Sequence, residues 1–302
     1  MSAPLFDARQ VRRAFSRSAA GYDAAAGLQR AVEARLLESL DYLDDPALQR
    51  PPPQRLLDLG CGTGRASAAM QKRWPKAEVV SMDLALPMLR QARAASRRRN
   101  PFARVPAQVC ADARALPLAD GSVDVLFSNL CLQWVEDLDA VLAGFRRVLK
   151  PHGLLLFSTF GPATLWELRE AFARADDAPH VSPFADIAGV GDALVRAGFH
   201  QPVLDREDET THYPDLPALM RELRAIGATN ALASRRHTLT GRARFRAAAD
   251  AYEPQRDARG LPASWEIISA MAWAPEAGTP FREGGMDVVA VPLSRIPVRR
   301  RA

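Results

Sequence analysis

Between residues 8 and 45 apolar side chains recur at helical spacing. Val11, Ala14 and Phe15, continued by Ser18, share one stripe, and Leu28, Val32, Leu36, Leu37 and Leu40 share the next. That period predicts two helices. Pro51-Pro52-Pro53 breaks the pattern, and beyond it short apolar runs alternate with amphipathic stretches, as in a parallel sheet covered by helices. The runs predict strands at 55–59, 77–82, 106–110, 123–128 and 153–159, with helices at 64–73, 85–98, 137–149, 163–176 and 186–198. Two further strands, 202–211 and 264–273, complete a doubly wound, mostly parallel seven-stranded α/β sheet. Residues 215–257 read as helical, with Leu216, Leu219, Met220 and Leu223 on one face. Ligands of such sheets bind outside the carboxyl ends of the strands, so a helical insertion here is expected to form a cap. The expected organisation is a cap segment at 1–50, a core at 51–213 and 258–274, and a cap insertion at 214–257. Residues 275–302 form a tail expected to be mobile, within which Asp287 to Leu293 has the pattern of one edge strand.

The chemistry concentrates where the first strand ends. In Asp58-Leu59-Gly60-Cys61-Gly62-Thr63-Gly64 the three glycines let the backbone turn sharply and approach a ligand, and a helix opens at about Arg65. The dinucleotide fingerprint is G-x-G-x-x-G; this loop runs G-x-G-x-G, with Arg65 where the third glycine would stand. Asp58 also puts a carboxylate at the loop entrance, which repels phosphate but can pair with the ammonium of an amino-acid moiety; bracing the loop is the competing role. Asp83 ends the second strand, 19 residues past Gly64, where an acid can accept both hydroxyls of a ribose. Leu84 and Met88 offer apolar surface to an adenine, although Met88 also fits the core face of the next helix. Asp112, in Ala111-Asp112-Ala113, ends the third strand and can accept from an exocyclic amine or sit solvated in a turn. Three acids at three successive strand ends describe a nucleoside carrying an amino-acid group.

Composition narrows the class. With 48% hydrophobic and 25% charged residues in 302, the chain is ordinary for a globular protein with a sizeable core. The formal charge is +5, but lysine occurs only at Lys72, Lys76 and Lys150, and acids are interspersed among the arginines. No nucleic-acid reading motif accompanies that balance, whereas an acidic protein partner is compatible with it. Cys61, Cys110 and Cys131 make no CxxC pair and each sits in or beside an apolar run, which points to buried free thiols in a reducing cytoplasm rather than a disulfide scaffold or zinc site. No apolar stretch is long enough to span a membrane, and the N-terminus has neither a secretory signal nor a transit peptide. The five histidines show no metal-ligand spacing.

LDLGCGTG (57–64), MDLALPML (82–89), CADARALPLADGSVDVLFSN (110–129) and FRRVLKPHGLLLFSTF (145–160) resemble the successive motifs of class I, Rossmann-like methyltransferases. The resemblance implies S-adenosylmethionine as cofactor. Contacts would come from Tyr22, Asp58, Gly60, Cys61, Gly62, Asp83, Leu84, Met88, Asp112, Ala113 and Asn129. A further set of segments resembles the malonyl-acyl-carrier-protein O-methyltransferases of biotin synthesis: Val11 to Asp23 with Leu28-Gln29-Arg30, Ser128 to Trp134, Phe157 to Pro162, and Leu223 to Asn230 in the cap. That implies methylation of the free carboxylate of a malonyl thioester, with the malonyl-acyl-carrier protein or malonyl-CoA as partner.

A carboxylate is ionised near neutrality and needs no general base, so the absence of a His or Cys nucleophile beside the loop fits. Tyr22, Gln133, Trp134 and Arg224 are the candidates for positioning the substrate. Arg221, Arg235 and Arg236 compete with Arg224 for the carboxylate, and any of them can instead be a surface residue. Packing competes for Trp134. Two other readings stay open: a small-molecule methyltransferase acting on a quinone precursor, expected to lack a carboxylate-binding arginine, and a respiratory-complex assembly factor that works through protein partners.

Overall fold

Five of the apolar runs become parallel strands: β1 (Arg55–Leu59), β2 (Glu78–Asp83), β3 (Ala107–Cys110), β4 (Val123–Ser128) and β5 (Leu149–Phe160). With β6 (His200–Tyr213) and β7 (Leu261–Trp273) they make one sheet in the order β3-β2-β1-β4-β5-β7-β6. β7 runs antiparallel to both of its neighbours. This computed structural model describes residues 4–48, 50–99, 105–238, 240–276, 281–283 and 286–288. Its helices are α1 (Ala8–Ser18), α2 (Tyr22–Ala25), α3 (Gly27–Glu38), α4 (Arg65–Arg73), α5 (Leu86–Arg99), α6 (Leu138–Val148), α7 (Trp166–Ala173), α8 (Ile187–Arg196), α9 (Leu216–Ala225) and α10 (Arg242–Tyr252).

The central strands are apolar on both faces because helices cover both, as parallel sheets require. α3 and α4 bring Leu36, Leu40, Ala66, Met70 and Trp74 against Leu56, Val125, Phe127, Leu154 and Leu156. α6 and α8 bring Val141, Leu142, Phe145, Val190 and Leu194 against Leu57, Leu59, Leu126, Leu155 and Phe157 on the other side. Burying each such side chain contributes roughly 1.5–3 kcal/mol. Asp7, Asp137, Asp186 and Asp215 accept backbone N–H bonds at the starts of α1, α6, α8 and α9, which fixes where those helices begin.

Several elements depart from the sequence pattern for local reasons. The stretch expected as two helices divides into three, because Gly21 and the non-helical Ala26 (φ −82°, ψ 49°) isolate the single turn α2. β5 starts at Leu149 rather than 153, since Leu149 pairs with Val123 ahead of a register shift. α7 starts late because Leu165, at φ 53°, sits in the left-handed region. Of the strand expected at Asp287 to Leu293, Asp287 and Val288 fall in β9 (Met286–Val288), which pairs antiparallel with β8 (Phe281–Glu283), and 289–293 lie outside the described residues.

α9 and α10 lie between β6 and β7 in the chain. They pack with α7 around Phe160, Tyr213 and Leu261, at the carboxyl ends of the parallel strands. The N-terminal segment is knitted to the same layer. The Asp7 N–H donates to the Ala231 carbonyl (2.8 Å), the Ala233 N–H donates to the Leu5 carbonyl (2.8 Å), and the Arg235 guanidinium meets the Asp7 carboxylate at 2.9 Å.

β5 reaches this layer at Gly161, whose missing side chain is required. A Cβ there would lie 2.7 Å from Cγ of Glu266. That buried carboxylate accepts the Ala163 N–H (2.7 Å) and pairs with Arg206 (3.2 Å), so it has little freedom to swing away. Gly161→Ala is therefore expected to cost about 1–3 kcal/mol, read as a lowered melting temperature; an unchanged melt would mean that Glu266 can move aside.

Candidate functional site

The glycine loop is pinned to the neighbouring strand. Gly60 and Cys61 both donate their N–H to the Met82 carbonyl, at 2.8 and 3.0 Å. Gly60 adopts φ 68°, and a Cβ on it would lie 2.5 Å from Sγ and 2.7 Å from Cβ of Cys131. No other residue fits that conformation and that approach together. The turn leaves the Gly62 N–H pointing at Asp83, whose Oδ2 accepts it at 2.9 Å, while Oδ1 accepts the Ala85 N–H at 2.7 Å. Burial pushes the Asp83 carboxyl up to about 6, against the two N–H bonds that favour its ionised form.

Around this loop lies an open cavity of about 890 Å³, counting the space open to solvent. Tyr22, Gly60, Gly62, Asp83, Leu84, Met88, Asp112 and Ala113, all expected from the sequence, line it. Leu84 and Met88 supply the apolar wall. Asp112 is held by Arg114 through two bonds (2.9 and 2.6 Å), which keep its carboxyl below the usual carboxylate range.

Three expected contacts do not line this cavity. Asp58 is buried at 2% exposure and takes the Ser67 hydroxyl on Oδ2 (2.5 Å); Ser81 in turn donates to Ser67 at 2.6 Å. It lies on the face of β1 that α4 covers, and burial pushes its carboxyl up to about 7. Cys61 packs inside the loop, where burial raises its thiol well above the ordinary value. The Asn129 amide is consumed as a strut, donating to the Gln29 carbonyl (3.0 Å) and accepting the Ser158 hydroxyl (2.8 Å).

A second cavity, about 1140 Å³ with its opening, lies on the cap side. Phe15, Tyr22, Leu130 and Trp134 line both cavities and form the wall between them. Leu130 holds φ 46° there, with its N–H bonded to Ser158; such backbone strain in a non-glycine residue gathers at functional sites. Trp134 stands edge-on to Phe6 and Phe15, so most of the wall's surface is aromatic. Gln133 lines the second cavity with its side-chain amide N–H fixed on the Leu130 carbonyl (2.7 Å). Among the arginines proposed for an anion, Arg235 is taken by Asp7 and Arg236 by the buried Asp176. Arg221 is exposed and does not line the cavity. Arg224 is the one arginine that lines it, and among the described residues it makes no ion pair.

Other contributors were not singled out from the sequence. Thr63 donates to Asp23 at 2.6 Å and Glu33 meets Arg65 at 3.5 Å, so α2 and α3 are latched onto the loop and Tyr22 is carried over Gly62. His180 lines the second cavity, stacked on Phe172 with Nε2 3.1 Å from Asp176. Arg236 and His180 hold the Asp176 carboxyl well below the usual carboxylate range. Phe6 follows no pattern that marks it for the cofactor cavity. Among the described residues no cluster of His, Cys, Asp and Glu is arranged to hold a metal ion, and no helix is long and apolar enough to cross a membrane.

Residues 57–157 match the family described as a methyltransferase domain. A solved protein of Bacillus halodurans C-125, described as a methyltransferase, superposes with a TM-score of 0.56 at 18% identity, covering 79% of this chain and 98% of that one. It shares the fold. The malonyl-[acyl-carrier protein] O-methyltransferase of Xylella fastidiosa (strain M23) is 58% identical, over 98% of both chains. That of Laribacter hongkongensis (strain HLHK9) is 47% identical, over 94% of this chain and 95% of its own. At that identity over nearly the full length, the chain belongs to the malonyl-[acyl-carrier protein] O-methyltransferase family, a family of class I methyltransferases.

Proposed function

We infer that this protein transfers the methyl group of S-adenosylmethionine to the free carboxylate of a malonyl thioester carried on an acyl-carrier protein, leaving the methyl ester. The observation that carries this reading is the pair of cavities with one apolar wall in common, acids in the first and the unpaired Arg224 in the second. An acceptor cavity with a free arginine speaks against the quinone-precursor alternative, and no relative named above is an assembly factor. Malonyl-CoA presents the same acyl group and is the second acceptor this reading admits. All three thiols are free, though only Cys61 is buried, Cys131 being half-buried and Cys110 exposed at the end of β3; free thiols suit a reducing, cytoplasmic setting.

The first cavity fits the methyl donor. Each Asp83 oxygen accepts one backbone N–H and keeps a further lone pair for a ribose hydroxyl. Leu84 and Met88 suit the adenine ring, Asp112 its amine, and Tyr22 closes the cavity from the N-terminal side. When bound, S-adenosylmethionine supplies a methyl group activated by a sulfonium charge. This chain's residues then have to align the acceptor and keep water out. Phe15, Tyr22, Leu130 and Trp134 close the passage where donor and acceptor meet, and a dry passage favours a step in which opposite charges vanish. No protein group has to take a proton, because the acceptor oxygen is already an anion. Arg224 binds that anion more strongly before transfer than after it, so it acts on substrate affinity rather than on the chemical step. Gln133 and Trp134 supply the remaining contacts to the acyl group.

The reaction is tested with radiolabelled methyl donor and malonyl-carrier protein, malonyl-CoA or a quinone precursor. A base-labile methyl ester on a malonyl thioester is expected, and transfer to the quinone precursor alone would overturn the reading. Arg224→Ala should raise KM for the malonyl thioester about 10–100-fold, the loss of one charge-assisted pair, with kcat changed far less; an unchanged KM removes Arg224 from the site. Asp83 governs pH dependence. Its carboxyl is raised to about 6, so below that pH it carries a proton and loses acceptor capacity for the ribose. Affinity for S-adenosylhomocysteine, measured by titration calorimetry, should hold from pH 8 to about 7 and fall as pH drops through about 6. Asp83→Asn should weaken binding at pH 8 about 10–100-fold and abolish the pH step; a step that persists would assign it to another group.

A further inference from the structure

Six exposed arginines lie on three helices that pack together, α1, α5 and α9. α1 and α5 contain no acidic residue. On α1 the exposed Arg9, Arg13 and Arg17 recur every four residues, opposite the buried Val11, Ala14 and Ser18. On α5 the exposed Arg90 and Arg93 stand opposite Met88, Leu89 and Ala92. α1 packs against both α5 and α9, and α9 adds the exposed Arg221. Among the described residues none of these six arginines makes an ion pair. Some other surface arginines are matched to acids: Arg35 meets Glu207 and Glu209, Arg73 meets Asp41 and Asp44, and Arg196 meets Asp139, whereas Arg242, Arg244 and Arg246 on α10, which line neither cavity, are exposed like the six. The carboxylates on or beside α1 and α9 are committed as well, Asp7 to Arg235, Asp215 to the start of α9, and Glu222 to the Tyr213 hydroxyl.

This face borders the two cavities. α1 contributes Val11 to the first and Phe15 to both, and α9 contributes Met220 and Leu223 to the second. An acyl group tethered to a carrier has to enter from a carrier seated beside that opening. We propose that the arginine face of α1, α5 and α9 is the docking surface for an acidic carrier protein, an inference that rests on the carrier-protein reading above. Such a face speeds association and sets orientation more than it adds affinity, and its effect is screened by salt.

The test compares KM and kcat for malonyl-carrier protein in three double variants. Arg13→Glu/Arg17→Glu and, independently, Arg90→Glu/Arg93→Glu reverse charges on the face without touching either cavity. Lys72→Glu/Lys76→Glu makes the same charge change at and just past the end of α4, which lines neither cavity. At low salt each arginine pair should raise KM about tenfold or more with kcat within about twofold, and the difference should shrink as salt approaches about 1 M. The lysine pair should leave KM near wild type, and calorimetric binding of S-adenosylhomocysteine should match wild type in all three. KM unchanged in both arginine pairs, while the wild type methylates malonyl-carrier protein, overturns the docking proposal alone. Loss of RNA binding in those pairs with carrier KM unchanged would reassign the face to nucleic acid and overturn it too. A wild type inactive on malonyl-carrier protein overturns the carrier reading, and the docking surface with it.

Discussion

The approach of Gly60 to Cys131 is the constraint on which the site depends. β1 and β4 are adjacent, and the chain leaving each must pass the other within van der Waals contact. Only a residue without Cβ, held at φ 68°, allows that passage. Given the passage, the Gly62 N–H reaches Asp83 and fixes its carboxylate at the cavity floor. The same passage sets Leu130 at the start of the wall that both cavities share. A methyl group at Gly60 would push the two strand ends apart and disturb both sites together.

The second level of organisation closes the carboxyl edge of the sheet. Thr63 holds Asp23, so α2 lays Tyr22 over the glycine loop. Residues 5–7 pair with 231–233, so the N-terminal segment and the cap are joined in one layer. Asn230 donates to the Pro179 carbonyl (2.7 Å) and ties that layer to the segment carrying His180 and Val181. The second cavity is thus built from five chain segments: 15–29, 130–134, 160–184, 220–230 and Trp265. Ion pairs in this layer, such as Arg235 with Asp7 and Arg236 with Asp176, hold the frame, and Arg224 makes no ion pair among the described residues.

What the sequence made legible follows from how local each feature is. The strand alternation, the glycine loop and the acids closing β2 and β3 are local patterns, and Asp83 and Asp112 line the cavity where that pattern puts them. Asp58, Cys61 and Asn129 stand in the same motifs but turn elsewhere. Their orientation depends on which helix covers which face, and Ser67, nine residues after Asp58, settles the first of them. The arginines show the same limit more sharply. Arg235 finds its acid 228 residues away at Asp7, so no spacing along the chain distinguishes it from Arg224. Tyr22 was readable from its motif, whereas the Asp23–Thr63 latch that positions it joins residues 40 apart.

The central claim is that donor and acceptor occupy separate cavities and meet across the wall of Phe15, Tyr22, Leu130 and Trp134. A crystal structure with S-adenosylhomocysteine and a malonyl thioester bound together tests it most directly. The account predicts the nucleoside against Asp83 and Met88, the malonyl group beside Trp134 with its carboxylate within reach of Arg224, and the two ligands meeting at Leu130. A malonyl group bound outside the second cavity, or a nucleoside that leaves Asp83 without contact, would contradict it.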